Sequence, residues 1–279
     1  VQSGGALGAS AFWATASTWA TKTVTGLTAG TTYTFEVKAR NGANSETAYS
    51  STASGIPVAV PTVELPASNP WWETQPAGNN NIRWTNTSMS GDGGLIFATV
   101  NPGRIYKSTN TGTSWAETQP AGNVNKNWVA FCMSSDGSKI VAGAMDYRLF
   151  LSRNSGTSWV ESQPIGNYNR PWLSLSISAD GVYILAGAYN DRLYRSTNGG
   201  TSWAEITPAG YADKYWFTST ISSNGSKMFV GNYDRLYKST DNGTTWTETQ
   251  PAGNISMNWR SVSMSSDGSK MLAGVDGGR

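Results

Sequence analysis

Histidine is absent from this 279-residue chain, and cysteine occurs once. The first absence removes the commonest general base and the commonest metal ligand, and no metal site or cofactor is expected. The second excludes an intrachain disulfide. The lone Cys132 lies in an apolar strand pattern, WVAFCM, where it reads as a small buried hydrophobe. Charged residues make up only 14% and the formal net charge is +2. With no basic run anywhere, attraction to a nucleic-acid backbone is not expected. No apolar stretch is long enough to cross a bilayer, so no transmembrane segment is expected. Amphipathic helical periodicity of useful length is also missing.

What remains is a chain rich in Gly, Ser, Thr and Asn, with 13 tryptophans. Short β-prone runs alternate with turn signals, which predicts an all-β fold. One phrase recurs four times: STNTGTSW (108–115), SRNSGTSW (152–159), STNGGTSW (196–203) and STDNGTTW (239–246). Its terminal tryptophans are 44, 44 and 43 residues apart, a period that marks a repeat architecture. Other landmarks keep the same phase. They are a second tryptophan series at 84, 128, 172, 216 and 259, an Asp-Gly-type turn, and an arginine at 104, 148, 192, 235 and 279. Each unit reads as four short strands, as in WVAFCMS, KIVAGA, RLFLS and WVESQP, which is the pattern of a β-propeller blade.

The recurring phrase resembles the Asp-box, or BNR repeat, of the sialidase-like propeller superfamily, with its Ser-x-Asp-x-Gly-x-x-Trp pattern. The matching residues are Ser108, Asn110, Gly112 and Trp115; Ser152, Asn154, Gly156 and Trp159; Ser196, Asn198, Gly200 and Trp203; and Ser239, Asp241, Gly243 and Trp246. Asn replaces the acid in three copies, a mild change because its amide oxygen can still accept from turn amides. The resemblance implies a structural hairpin, remote from any active site. Residues 23–57 differ. Leu27, Gly30 and Tyr33 resemble the Leu-x-x-Gly-x-x-Tyr motif of a fibronectin type III domain, followed by the alternating strand TTYTFEVKAR. The expected organisation is a partial fibronectin-like β-sandwich at 1–57, a proline-rich linker at 58–70, and a propeller at 71–279. Four complete units plus three strands of another predict five or more blades. The missing first strands of the sandwich and the incomplete last unit make the chain read as a window of a longer one.

In a propeller, the loops after the second and fourth strands share one face. Here they offer Asn79, Asn81, Asn123, Asn125, Asn167 and Asn169, with Trp84, Trp128, Trp172, Trp216 and Trp259 at the loop ends. Asp146, Tyr147, Arg148, Asp191, Arg192, Asp234 and Arg235 lie in the second-to-third loops, with Tyr189 and Tyr233 beside the aspartates. One reading is architectural: turns, ion pairs and gap filling. The other is a ring of polar-aromatic pockets, in which amides and carboxylates bind sugar hydroxyls while indoles stack on sugar C–H faces. A hydrolase is harder to build. The repeated arginines occupy one equivalent position, unlike the non-equivalent triad a sialidase uses. Glu73, Glu117, Glu161, Glu205 and Glu248 all fall on the outermost strand.

No catalytic residue is therefore assigned. The sequence predicts a non-catalytic binding or scaffold module, secreted or at a cell surface, with a glycan or protein ligand. The alternatives are a glycoside hydrolase, sialidase-like or xyloglucanase-like, and a self-associating structural subunit of a filament or surface layer.

Overall fold

A computed structural model describes residues 32–35, 45, 48, 53–55, 73–78, 81–145 and 147–277. Contacts divide the chain into two units, Val1–Trp72 and Glu73–Arg279. In the first unit, β1 (Tyr33–Phe35) pairs antiparallel with β2 (Ala53–Gly55), Tyr33 opposite Gly55. The rest of the expected fibronectin-like module and the proline linker lie outside the described residues.

The second unit is a propeller. Four sheets have four antiparallel strands each, in sequence order. They are β3 (Trp84–Met89) to β6 (Ala116–Thr118), with β4 (Ile96–Val100) and β5 (Ile105–Ser108) between. Next come β7 (Trp128–Met133), β8 (Ile140–Ala144), β9 (Leu149–Ser152) and β10 (Val160–Ser162). The third sheet holds β11 (Trp172–Ile177), β12 (Ile184–Ala188), β13 (Leu193–Ser196) and β14 (Ala204–Ile206). The fourth holds β15 (Thr218–Ile221), β16 (Met228–Gly231), β17 (Leu236–Ser239) and β18 (Thr247–Thr249). A fifth sheet has two strands, β19 (Trp259–Met264) and β20 (Met271–Val275). The first strands β3, β7, β11, β15 and β19 pack successively against one another and so lie innermost. Glu73 to Gln75, which align with Glu117 to Gln119 of the next repeat, are not in a strand, although Thr74 makes the contacts that Thr118 makes one repeat later.

Burial explains the strand order. The second strands are apolar on both faces, and β8 and β12 are buried throughout. They sit between neighbouring sheets, as continuous apolar runs should. The fourth strands carry Glu and Thr and are largely exposed. Each core fills a seam between adjacent sheets; one joins Val141 and Leu151 of the second sheet to Trp172 and Ile184 of the third. Trp172 is 1% exposed, and burying an indole of about 200 Å² removes roughly 5 kcal/mol of unfavourable hydration. Gly187 makes room for the next tryptophan: a Cβ there would lie 2.6 Å from the Cβ of Trp216.

Two further devices hold the sheets in register. Backbone amides link the turns of neighbouring sheets, Gly91 to Ser135, Ser135 to Ala179, Ala179 to Ser223 and Ser223 to Ser266, each N–H donating to the next carbonyl at 2.7–2.9 Å. Among the described residues no such bond returns from Ser266 to Gly91. The Ser-to-Trp hairpin supplies the second device. Ser108 Oγ accepts from Gly112 N and donates to Asn110 Oδ1, which also accepts from Ser114 N. The indole N–H then crosses to the preceding repeat: Trp115 to Thr74, Trp159 to Thr118, Trp203 to Ser162. Ile206 stands at that place for Trp246, whose N–H turns to its own Gly243 carbonyl.

Candidate functional site

The loop face is built from two kinds of loop that meet at each seam. The second-to-third loop of one sheet pairs through its backbone with the loop leading into the next sheet, at Gly103–Lys126, Tyr147–Arg170 and Asp191–Lys214. The basic side chain then reaches onto the sheet it leads into. Lys126 Nζ lies 3.3 Å over the Tyr147 ring, Arg170 Nε donates to Asp191, and Lys214 Nζ donates to Asp234 Oδ2 at 3.3 Å. These contacts fix the rim of the face.

Most of the residues singled out in the sequence are committed to this framework. Trp128, Trp172, Trp216 and Trp259 are at most 6% exposed, so their indole faces are closed to a ligand. The first three donate their Nε1–H to the carbonyls of Gly103, Tyr147 and Asp191 on the preceding sheet, at 3.1 Å each. Trp84 differs: it is 39% exposed, with Tyr106 against its edge. The repeated arginines face the fourth strand of their own sheet. Arg104 pairs with Glu117, Arg148 with Glu161, Arg192 with Glu205 and Asp213, and Arg235 with Glu248. Asn123, Asn167 and Asn254 accept from Arg104, Arg148 and Arg235 in turn. Asn81, Asn125 and Asn169 are exposed, and their amides make no hydrogen bond among the described residues. Asn79, Asp146 and Arg279 lie outside the described residues.

Asp191 is held by Arg170, by the backbone of Arg192 and by the phenol of Tyr194. Burial, and then Asp191, push the Tyr194 phenol up, so it stays protonated as a donor. Tyr106 and Tyr237 shift the same way, burial first. Asp234 is lowered, chiefly by the Ser256 hydroxyl and also by Lys214, against a burial penalty. Cys132 is buried and its thiol is pushed up by burial, consistent with a packing role.

One part of the face departs from the repeat. Four rings gather where the loops of the third and fourth sheets meet. Tyr189 and Tyr215 have centroids 4.5 Å apart at 58°; Tyr215 and Phe217 are near-parallel at 6.1 Å; Tyr233 is inclined to both. Arg260, from the fifth sheet, lies 4.0 Å over Phe217. The reason lies in the first strands. Each of β3, β7, β11 and β19 carries a bulge just after its tryptophan, at Thr85, Val129, Leu173 and Arg260. Phe217 holds the same place before β15. Bulges re-aim a side chain away from the ladder. Tyr189 was noted in the sequence beside the aspartates, but Tyr215, Phe217 and Arg260 were missed. Their departure from the repeat at two aligned positions is the signal that could have found them.

A separate groove of about 640 Å³ opens at the outer rim among the Ser-to-Trp hairpins, lined by Trp115, Glu117 and Trp159. No helix among the described residues is long and apolar enough to cross a membrane.

No family model matches the chain, and no curated protein matches it. Solved structures do. An ancestral GH74 enzyme superposes with a TM-score of 0.57 at 18% identity, over 71% of this chain and 30% of its own. The GH74 xyloglucanase from Xanthomonas campestris gives 0.52 at 17%, over 71% and 35%. The Cps50 (Swd1) β-propeller domain of Myceliophteria thermophila gives 0.56 at 10%, over 70% and 63%. The chain thus spans about a third of the two GH74 structures and under two thirds of the propeller domain. At these identities the likeness establishes the β-propeller fold alone.

Proposed function

We propose that this chain is a non-catalytic binding module of a secreted or surface-displayed protein. In this reading an Asp-box propeller follows a fibronectin type III-like module, and its loop face engages a polymer ligand, a glycan foremost. One observation carries the reading. Every carboxylate among the described propeller residues is already engaged by a cation, a hydroxyl, or a backbone or side-chain amide. Those whose pKa moves, such as Asp234 and Asp136, move down. Glycoside hydrolysis needs one carboxyl that keeps its proton near neutral pH, which means a raised pKa. The exposed amides and rings of the face suit hydroxyl-rich ligands.

The likeness to two GH74 structures favours a second reading, a glycoside hydrolase. A single experiment separates the two. The purified chain is applied to a panel of immobilised polysaccharides, and retention and new reducing ends are both measured. Retention without new reducing ends supports the binding module. Release of oligosaccharides establishes a hydrolase, and neither retention nor release removes the glycan assignment.

A further inference from the structure

We infer that the ring cluster of Tyr189, Tyr215, Phe217 and Tyr233 is a single stacking site for a neutral, equatorially substituted pyranose of a β-linked glucan chain. The inference rests on the loop-face binding reading above and deepens it.

The first argument is broken symmetry. A residue that serves the fold recurs in each repeat, as Trp128, Trp172, Trp216 and Trp259 do. The cluster does not recur. The place before the tryptophan reads Arg83, Asn127, Pro171, Tyr215 and Asn258 along the chain. The place after it reads Thr85, Val129, Leu173, Phe217 and Arg260. Aromatic residues hold both places only before and after Trp216. The seams between the other sheets close without them.

The second argument is exposure. Tyr189 is 46% exposed and Tyr233 55%, although both rest on half-buried rings. Rings recruited to fill a seam would be shielded from water. These instead present apolar surface and phenolic hydroxyls together at the face.

The third argument is charge. The flanking ions are neutralised in pairs, Lys214 with Asp234 at 3.3 Å and Arg260 with Asp276 at 3.7 Å. An anionic or cationic ligand would meet no net countercharge there. The ligand that fits has an apolar face to lie on rings and hydroxyls at its edge for the amides and paired ions. A pyranose with equatorial substituents has that shape, because its axial C–H bonds make both ring faces apolar. An axial hydroxyl would roughen one face. The asymmetry also sets the stoichiometry: one site per chain, not one per blade.

The test uses the 279-residue chain, with cellohexaose as probe, in titration calorimetry. Tyr189→Ala and Tyr233→Ala remove exposed rings and leave the seams intact, which tryptophan fluorescence and thermal unfolding check. Met145→Ala, at the place in the second sheet that Tyr189 holds in the third, is the control. The expected result is one bound hexasaccharide per chain, about tenfold weaker in each tyrosine variant and unchanged in Met145→Ala. Equal affinity in the tyrosine variants, or several sites per chain, overturns the inference while leaving the loop-face reading standing. So does tyrosine-dependent capture of a proline-rich peptide in place of the sugar. Failure to bind cellohexaose while other polysaccharides are retained removes the glucan assignment. Failure to retain any polysaccharide removes this inference together with the glycan assignment of the loop face.

Discussion

The indole N–H of Trp159 donates to the hydroxyl of Thr118, 41 residues earlier, at 2.8 Å. The same hydroxyl donates onward to the carbonyl of Gly156 at 3.1 Å. A hairpin of the second sheet is thereby fastened to the outermost strand of the first. Thr118→Val keeps the shape and removes both bonds, and its expected cost is about 1 kcal/mol in urea unfolding. Ile206, which occupies the equivalent place opposite Trp246, shows that the fold tolerates the loss.

Within the tryptophan series at 84, 128, 172, 216 and 259, the members differ in how much they bury, and so does the expected cost of removing them. Trp172→Ala opens a cavity between two sheets and should cost about 3–5 kcal/mol. Trp84→Ala removes a ring already 39% exposed and should cost less than half as much. Equal losses in equilibrium unfolding would contradict the packing described for the seams.

Thr111, in the first hairpin, has φ of +57°. A β-branched residue is strained in that left-handed region. Gly199 holds the same place in the third hairpin, at φ +65°. Thr111→Gly should therefore stabilise the chain by about 0.5–1 kcal/mol, read as a rise in the thermal midpoint. A fall would show that the Thr111 hydroxyl, which donates to Asn110 O, outweighs the strain.

The fourth hairpin alone carries an acid, and it should respond to pH where the others do not. Asp241 is lowered to about 2, first by the Thr245 hydroxyl, then by the Thr245 amide and Ser239. A carboxylate whose folded pKa lies below its unfolded value stabilises the fold above that unfolded value. The contribution fades as pH falls below about 4 and is lost through about 2. In the other hairpins the donor sense is reversed, Asn110 Nδ2 donating to Ser114 Oγ where Thr245 Oγ1 donates to Asp241. Protection of the Thr245 amide, measured against its intrinsic exchange rate, should therefore fall below pH 4, and Asp241→Asn should remove that fall. Exchange at Ser114, beside Asn110, should show no matching step.

Much of the fold was legible because its devices repeat. The Ser-to-Trp phrase, the Asp-Gly turns and the four-strand rhythm each occur often enough to be aligned by eye. The role of Trp172 was not legible. An indole that stacks on a ligand and one that fills a seam look alike at the end of a polar loop, and only the neighbouring sheet decides. The chain of bonds linking Gly91, Ser135, Ala179, Ser223 and Ser266 is made by backbone groups, so it leaves no mark beyond the smallness of those residues. Tyr215 and Phe217 escaped notice for the opposite reason. Reading for the repeat averages away the positions where one unit differs, and those positions carry the candidate site.

Hydrogen–deuterium exchange of the chain, with and without cellohexaose, tests most directly the claim that ligand recognition sits where the repeat is broken. Protection is expected at residues 189–191, 214–217 and 232–235, with none at the equivalent loops 101–104 and 126–129. Protection spread evenly over every loop of the face, or confined to the Ser-to-Trp hairpins, would contradict it.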